Sequence, residues 1–171
     1  RQLGVPHYFV DVEAAFKARV FEPFRAAYIE GRTPSPCVDC NTAIKFGQVW
    51  DLIETELGIA HVATGHYARI EHEGTPDARL RRASDLSRDQ SYFLYGIPKA
   101  RLPFLHFPLG AFSKVEARRM ALERGLPVAD KPDSMELCFA GEGDYRTLLT
   151  DFPAQPGPIV DRAGNRLGTH T

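Results

Sequence analysis

Gly58-Ile59-Ala60-His61-Val62-Ala63-Thr64-Gly65-His66 is the stretch on which the reading of the fold turns. Ile59 to Thr64 is a short apolar run closed by Gly65, the pattern of a strand buried in a sheet. The segment before it, Asn41 to about Leu57, is predicted to be a helix with Ile44, Phe46, Val49, Trp50, Ile53 and Leu57 as its apolar residues, and Gly58 stops it. Further upstream, His7-Tyr8-Phe9-Val10-Asp11 is short, apolar and β-prone. A helical stretch from about Val12 to Ile29 follows, with Phe16, Val20, Phe24, Ala27 and Tyr28 on one face. Pro23 predicts a kink or a split there, and Gly31 ends the stretch. Strand, helix and strand in this order imply an α/β domain with a parallel sheet.

Between the two helices lies Arg32-Thr33-Pro34-Ser35-Pro36-Cys37-Val38-Asp39-Cys40. Two prolines one residue apart predict a stiff loop here rather than a regular helix. Downstream of the central strand, Ala68–Ile70 and Arg79–Arg82 flank a polar Gly74-Thr75-Pro76-Asp77 turn and read as a surface hairpin. Asp89 to Tyr95 is aromatic-rich and ambiguous between helix and strand. Ser113 with Glu116 forms a capping box for a helix reaching Glu123, which Gly125 and Pro127 terminate. Ala129 to Cys138 reads as a polar loop, Tyr145 to Leu149 as a short helix, Phe152 to Pro158 as a linker, and Gly157 onward as the start of a β-hairpin. Arg1 to Pro6 resembles the tail of a helix, so the natural chain is expected to begin upstream.

The 171 residues are 43% apolar and 25% charged, the composition of a globular protein, with a formal net charge of -1. That balance gives no bulk electrostatic argument for nucleic acid, although phosphate binding needs only a local cluster of Lys and Arg. No apolar run approaches the roughly 20 residues of a membrane span, and no export signal is present. Three cysteines without an export signal argue against a disulfide-stapled secreted domain and fit thiol chemistry in a reducing cytoplasm.

Cys40 follows a rigid loop and is expected to stand directly before a helix, whose positive end favours the thiolate. The thiolate is the form that attacks sulfur or binds metal; the plainer alternative is a small apolar gap-filler. Cys37 and Cys40 make a Cys-x-x-Cys pair, which reads as a redox dithiol, half of a metal site, or coincidence. Cys138 is the third cysteine, and its plain reading is burial between Leu137 and Phe139. Gly65 and His66 stand at the C-terminal end of the predicted strand, the edge where open α/β sheets bind ligands; a tight strand exit with a surface imidazole is the alternative. Arg88, Asp89 and Gln90 with the aromatics behind them suit phosphate and base contacts, or a polar turn entering the core. Arg69, Arg79, Arg81, Arg82 and Arg88 are candidates for a basic strip.

Taken together, several motifs resemble one family. They are Gly31-Arg32-Thr33-Pro34-Ser35-Pro36 with Cys40-Asn41 and Ile44-Lys45-Phe46, then Ala63-Thr64-Gly65-His66-Tyr67-Ala68-Arg69, then Asp89-Gln90-Ser91-Tyr92-Phe93-Leu94. Phe107-Pro108-Leu109-Gly110, Gly125-Leu126-Pro127-Val128-Ala129, Lys131, Asp133, Ser134, Cys138-Phe139, Pro153-Ala154 and Pro156-Gly157 continue the series. In order and spacing the chain resembles the tRNA-specific 2-thiouridylases along essentially its whole length. The resemblance implies an α/β, parallel-sheet PP-loop ATPase domain of the adenine nucleotide alpha hydrolase type, incomplete, over residues 1–110. It implies a helical tRNA-binding region over 111–152 and the start of a β-rich domain over 153–171.

The same resemblance implies ATP with Mg2+ as cofactor, a tRNA with a wobble uridine as substrate, and a sulfur-relay protein as donor. It gives Cys40 the role of nucleophile and Cys138 that of persulfide carrier. Gly65 becomes a nucleotide contact, while His66, Arg88, Asp89 and Gln90 become tRNA contacts. Ser35, Pro36 and Cys37 become the segment that meets the target base. The family's Ser-Gly-Gly-x-Asp-Ser loop does not occur in the 171 residues, so weak ATP binding and no turnover are expected of this chain alone. Cys37 stands where the family commonly has Asp, which raises Cys37, Cys40 and Cys138 as ligands of an iron–sulfur cluster. A non-catalytic tRNA-binding or metal-stabilised module is the competing reading.

Overall fold

The computed structural model describes residues 4–126, 137–140, 145–149 and 156–170. The expectations for Pro127, Val128, Ala129, Lys131, Asp133, Ser134, Pro153 and Ala154 lie outside the described residues. The chain divides into two compact units, Arg1–Asp133 and Ser134–Thr171.

The first unit opens with an exposed segment rather than the expected strand. Residues 7–11 pair with no strand among the described residues, and Phe9 is 93% exposed. β propensity alone does not make a strand, because the ladder partner supplies the hydrogen bonds. A continuous helical run then covers residues 13–29: α1 (Glu13–Phe16), a π-wide stretch (Lys17–Phe21) and α2 (Glu22–Ile29). Pro23 does not split it. The ring follows directly on the widened turn, where the usual clash with the carbonyl four residues back is relieved. Val20, Phe24 and Ala27 are buried, as the periodicity predicted.

The second helical run starts earlier than expected. α3 (Pro36–Asp39) leads without a break into a π-wide stretch (Cys40–Val49) and then α4 (Trp50–Leu57). Pro36 does not exclude helix; it occupies the first helical position, where its missing N–H would have no partner anyway and its fixed φ is already helical. Gly47 kinks the run with φ -99° and ψ -105°. A methyl group there would lie 2.8 Å from the Thr42 carbonyl oxygen, so the kink demands glycine. Gly58 closes α4 in the left-handed conformation, φ 65°.

The parallel pairing expected of the central strand is present, but its partner comes later in the chain. β1 (Val62–Ala63) pairs in parallel with β4 (Leu105–His106), in the register Val62 to Leu105 and Ala63 to His106. The antiparallel hairpin of β2 (Ala68–Glu71) and β3 (Arg79–Arg82) forms as predicted, with Arg69 opposite Arg81 and Glu71 opposite Arg79. The ambiguous Asp89–Tyr95 region resolves into 3-10 turns, Leu86–Arg88 and Ser91–Leu94, followed by Lys99–Phe104. α5 (Lys114–Glu123) carries the predicted capping box in full: Ser113 and Glu116 each accept from the other's backbone N–H.

The core that holds the β1 edge is built by Phe46, Trp50, Leu94, Leu102, Leu105 and Phe107. Trp50 is its largest side chain, 2% exposed. Its Nε1–H donates to the Ala60 carbonyl at 3.2 Å, and the Arg101 guanidinium stacks 4.9 Å from its ring. Arg101 also donates to the Phe46 carbonyl at 2.8 Å and pairs with Asp51. A buried Trp with its one donor satisfied ties the kinked helix to the strand that follows it.

In the second unit, Tyr145–Leu149 is a 3-10 turn, and β5 (Gly157–Val160) pairs antiparallel with β6 (Arg166–His170). Asp161 shapes the intervening turn by accepting from the backbone N–H groups of Ala163 and Asn165, both at 2.8 Å.

Candidate functional site

Three segments of the first unit that are distant in sequence are tied together by specific hydrogen bonds. The first is the C-terminal exit of β1. Thr64 N–H extends the parallel ladder to the His106 carbonyl at 3.1 Å, and the chain then turns at Gly65. A methyl group on Gly65 would meet only Leu109 Cδ1 at 3.8 Å, so packing does not require glycine there. What the missing side chain leaves is an accessible backbone at the ligand edge of the sheet.

His66 is half-buried against Phe46 and Phe107, with ring centroids 5.9 and 6.1 Å away. Burial first, and then the positive charge of Lys45, push its pKa down to about 4. The imidazole is therefore neutral at physiological pH. Its Nδ1 lies 2.8 Å from the Thr64 hydroxyl, and a hydroxyl that donates there leaves the ring proton on Nε2. His66 is thus a neutral hydrogen-bonding group rather than a cation for phosphate.

The second segment is Arg88 to Gln90. Gln90 clasps the β1 exit from both sides: its N–H donates to the Tyr67 carbonyl at 2.8 Å, and its side-chain oxygen accepts from Tyr67 N–H at 2.9 Å. Asp89 is an internal anchor. Burial alone would raise its pKa, but hydrogen bonds from Ala83 N–H at 2.8 Å, from Ser91 and from Arg82 outweigh it and hold the carboxyl below its usual range. Arg88 is exposed beside them. The expected basic strip is largely engaged with the protein itself. Arg69 donates to the Arg82 carbonyl, Arg81 pairs with Glu71 at 2.6 Å, and Arg82 pairs with Asp89 at 3.2 Å.

The third segment carries two cysteines. Ser35 is the N-cap residue of α3 and Pro36 its first residue, so Cys37 stands in the first turn and Cys40 one turn further on. Cys40 therefore does not precede the helix as the sequence suggested. Cys37 is exposed and Cys40 half-buried. Asp39 next to Cys40 has its carboxyl pushed up by burial. Ser35 and Asp39 face a cleft of about 430 Å3, walled also by Pro23, Arg32, Pro34 and Tyr95.

Asn41, which the sequence reading includes in the Cys40-Asn41 motif without a role of its own, joins this helix to the second segment. It is 2% exposed, and its Nδ2 donates to the Phe93 carbonyl at 3.1 Å. Its spacing from Ile44, one helical turn, was the available signal, since it puts the amide on the apolar face. Cys40 is thereby registered against the Arg88–Gln90 region, and through Gln90 and Tyr67 against Gly65 and His66.

Cys138 belongs to the second unit. It is exposed in a turn closed by Ala140 N–H to Leu137 carbonyl, so the plain reading of burial between Leu137 and Phe139 does not hold. None of the three cysteines is in a disulfide. Among the described residues no group of three or more His, Cys, Asp or Glu side chains is placed to hold a metal ion, and no helix is long and apolar enough to cross a membrane.

Sequence comparison supplies the context for this arrangement. A profile described as "tRNA methyl transferase HUP domain" matches residues 1–142. The chain is 49% identical over 99% of its length to a tRNA-specific 2-thiouridylase of Xanthobacter autotrophicus, covering 44% of that protein. It is 45% identical to one from Syntrophus aciditrophicus, covering 45%, and 48% identical to one from Sorangium cellulosum, covering 44%. The chain thus spans under half the length of the curated relatives it matches.

Proposed function

The chain belongs to the tRNA methyl transferase HUP-domain family, a HUP domain of the PP-loop ATPase type, and on that premise we propose that it is part of a tRNA 2-thiouridylase acting on the wobble uridine in the cytoplasm. The observation that carries this reading is the registration of Cys40, through Asn41 and Phe93, against the Arg88–Gln90 segment and the Gly65–His66 edge of β1. A thiol, an RNA-facing segment and a nucleotide-facing backbone belong to one packed unit. Its relatives carry the thiouridylase name, which supports sulfur as the group transferred.

ATP, when bound, supplies the adenylyl group that turns the uridine C2 oxygen into a leaving group. The open backbone at Gly65 fits the approach of a nucleotide, and Mg2+ is expected to accompany its phosphates. The terminal sulfur of a Cys138 persulfide, loaded by a sulfur-relay protein, attacks C2, and AMP departs. The Cys40 thiolate then attacks the Cys138 sulfur. The S–S bond to the transferred atom breaks, its electron pair goes to the new 2-thiouridine, and a Cys40–Cys138 disulfide forms. A dithiol reductant restores both thiols for the next turnover. Neutral His66 serves as a hydrogen-bonding contact, and Arg88 as a phosphate contact. Asp89 and Gln90 hold that contact surface in place, while Ser35 borders the cleft that receives the base and Pro36 and Cys37 follow it in the first turn of α3.

Cys37 and Cys40 in one unit and Cys138 in the other are the residues that would hold an iron–sulfur cluster if the three cysteines served as ligands instead. The test is substitution in the complete gene product. Cys40→Ser and Cys138→Ser each abolish 2-thiouridine formation while leaving tRNA affinity within about twofold of the parent. Retained thiolation in either variant would contradict the relay; a parent protein that binds tRNA yet forms no 2-thiouridine would favour the non-catalytic tRNA-binding module.

A further inference from the structure

Tyr92 and Tyr95 have no part in the chemistry above, yet both rings stand out in solvent, 66% and 68% exposed, on either side of the fully buried Leu94. The 3-10 turn Ser91–Leu94 explains the placement. With three residues per turn, side chains three apart eclipse one another. The two tyrosines therefore share the outward face, with ring centroids 6.0 Å apart and planes at 61°. Phe93 braces Tyr92 edge-on, at 5.6 Å and 84°.

This aromatic face is fixed with respect to Cys40. The Phe93 carbonyl between the two tyrosines accepts the buried Asn41 amide of the cysteine-bearing helix. Tyr95 is also a wall of the cleft that Ser35 and Asp39 border. A single exposed tyrosine needs no explanation. Two on one face, anchored from below, with Tyr95 opening on a cleft that Arg32, itself paired with Glu30, also lines, form a surface of a kind that binds unstacked bases.

We propose that Tyr95 is the stacking wall for an unpaired nucleobase of the tRNA loop entering this cleft, with Tyr92 as the platform for the neighbouring base. The proposal rests on the tRNA-modifying reading and assigns these two positioning residues within it. An RNA strand is favoured over a protein partner because the same turn continues directly from Arg88–Gln90, and because every base presents a π face whatever its sequence.

The experiment uses the complete gene product and a stem-loop RNA carrying 2-aminopurine next to the wobble uridine. Stacking quenches the probe on binding to the parent protein. Tyr95→Ala is expected to weaken RNA affinity about 5- to 150-fold and to abolish the quench. It is also expected to raise KM for RNA with kcat little changed, whereas Tyr95→Phe retains all three properties. Tyr92→Ala is expected to weaken affinity with the Tyr95-dependent quench retained. Parent-like affinity and quench in Tyr95→Ala, with the parent binding and thiolating the RNA, would overturn the stacking assignment alone. So would loss of ATP affinity in place of RNA affinity, which would make the wall an adenine contact. A parent protein that fails to bind the stem-loop would remove both the assignment and the tRNA reading beneath it.

Discussion

His66 shows how much a residue's surroundings decide about its chemistry. From the sequence it is a histidine at a strand end, either a group that donates or accepts a proton at the ligand edge or a surface imidazole at a tight strand exit. Packing against Phe46 and Phe107 and the nearness of Lys45 make it neutral, with a pKa near 4 in place of the ordinary 6.5. The unfolded chain therefore takes up a proton between those two values and the folded chain does not. The His66 contribution to stability is complete above pH 6.5 and is lost as the pH falls toward about 4, with a slope of up to ~1.4 kcal/mol per pH unit. Urea denaturation of the parent and of His66→Gln above and below that window checks this: the variant should show the flatter pH profile. An equal pH dependence in both would mean that the imidazole is not held neutral. Asp89 and Asn41 make the complementary point. Their residue types were legible as polar groups near a site, but their use as internal anchors depends on partners that no local window contains, such as Phe93 for Asn41.

Among the elements, those with local signals were legible and those defined by distant partners were not. The capping box of α5 and the β2–β3 hairpin are written in neighbouring residues, and both formed as read. The start of α3 is not legible from Pro36, because proline breaks a helix interior yet fits best at the first helical position. The partner of β1 was misplaced because pairing strength lies in a ladder, and β4 is only Leu105–His106, too short to show a period. Two glycines separate packing from function at this scale. A methyl group at Gly110 would fall 1.6 Å from the Ala68 carbonyl oxygen, so Gly110→Ala must displace the β2 backbone and should cost more than about 2 kcal/mol in thermal or urea denaturation. At Gly65 the same methyl meets no backbone. In the complete gene product, Gly65→Ala should leave stability within about 0.5 kcal/mol of the parent while raising KM for ATP. An unchanged KM for ATP would remove Gly65 from the nucleotide site.

On the scale of the whole molecule, the sequence carried the family more clearly than any single element, because several motifs stood in one order across nearly its full length. The formal net charge of -1 gave no hint of an RNA substrate. The indication came from local groupings: Arg88 beside Gln90, and the aromatic turn behind them. Cys40 and Cys138 belong to different compact units of a chain that covers under half the length of its relatives. The proposed chemistry requires their sulfurs to join in a disulfide. The most direct measurement is peptide mapping by mass spectrometry of the complete gene product after one turnover with tRNA, ATP and a persulfide donor, quenched by alkylation without reductant. A Cys40–Cys138 disulfide formed in proportion to 2-thiouridine is the predicted result; full thiolation with both cysteines recovered as alkylated thiols and no cross-linked peptide would contradict it.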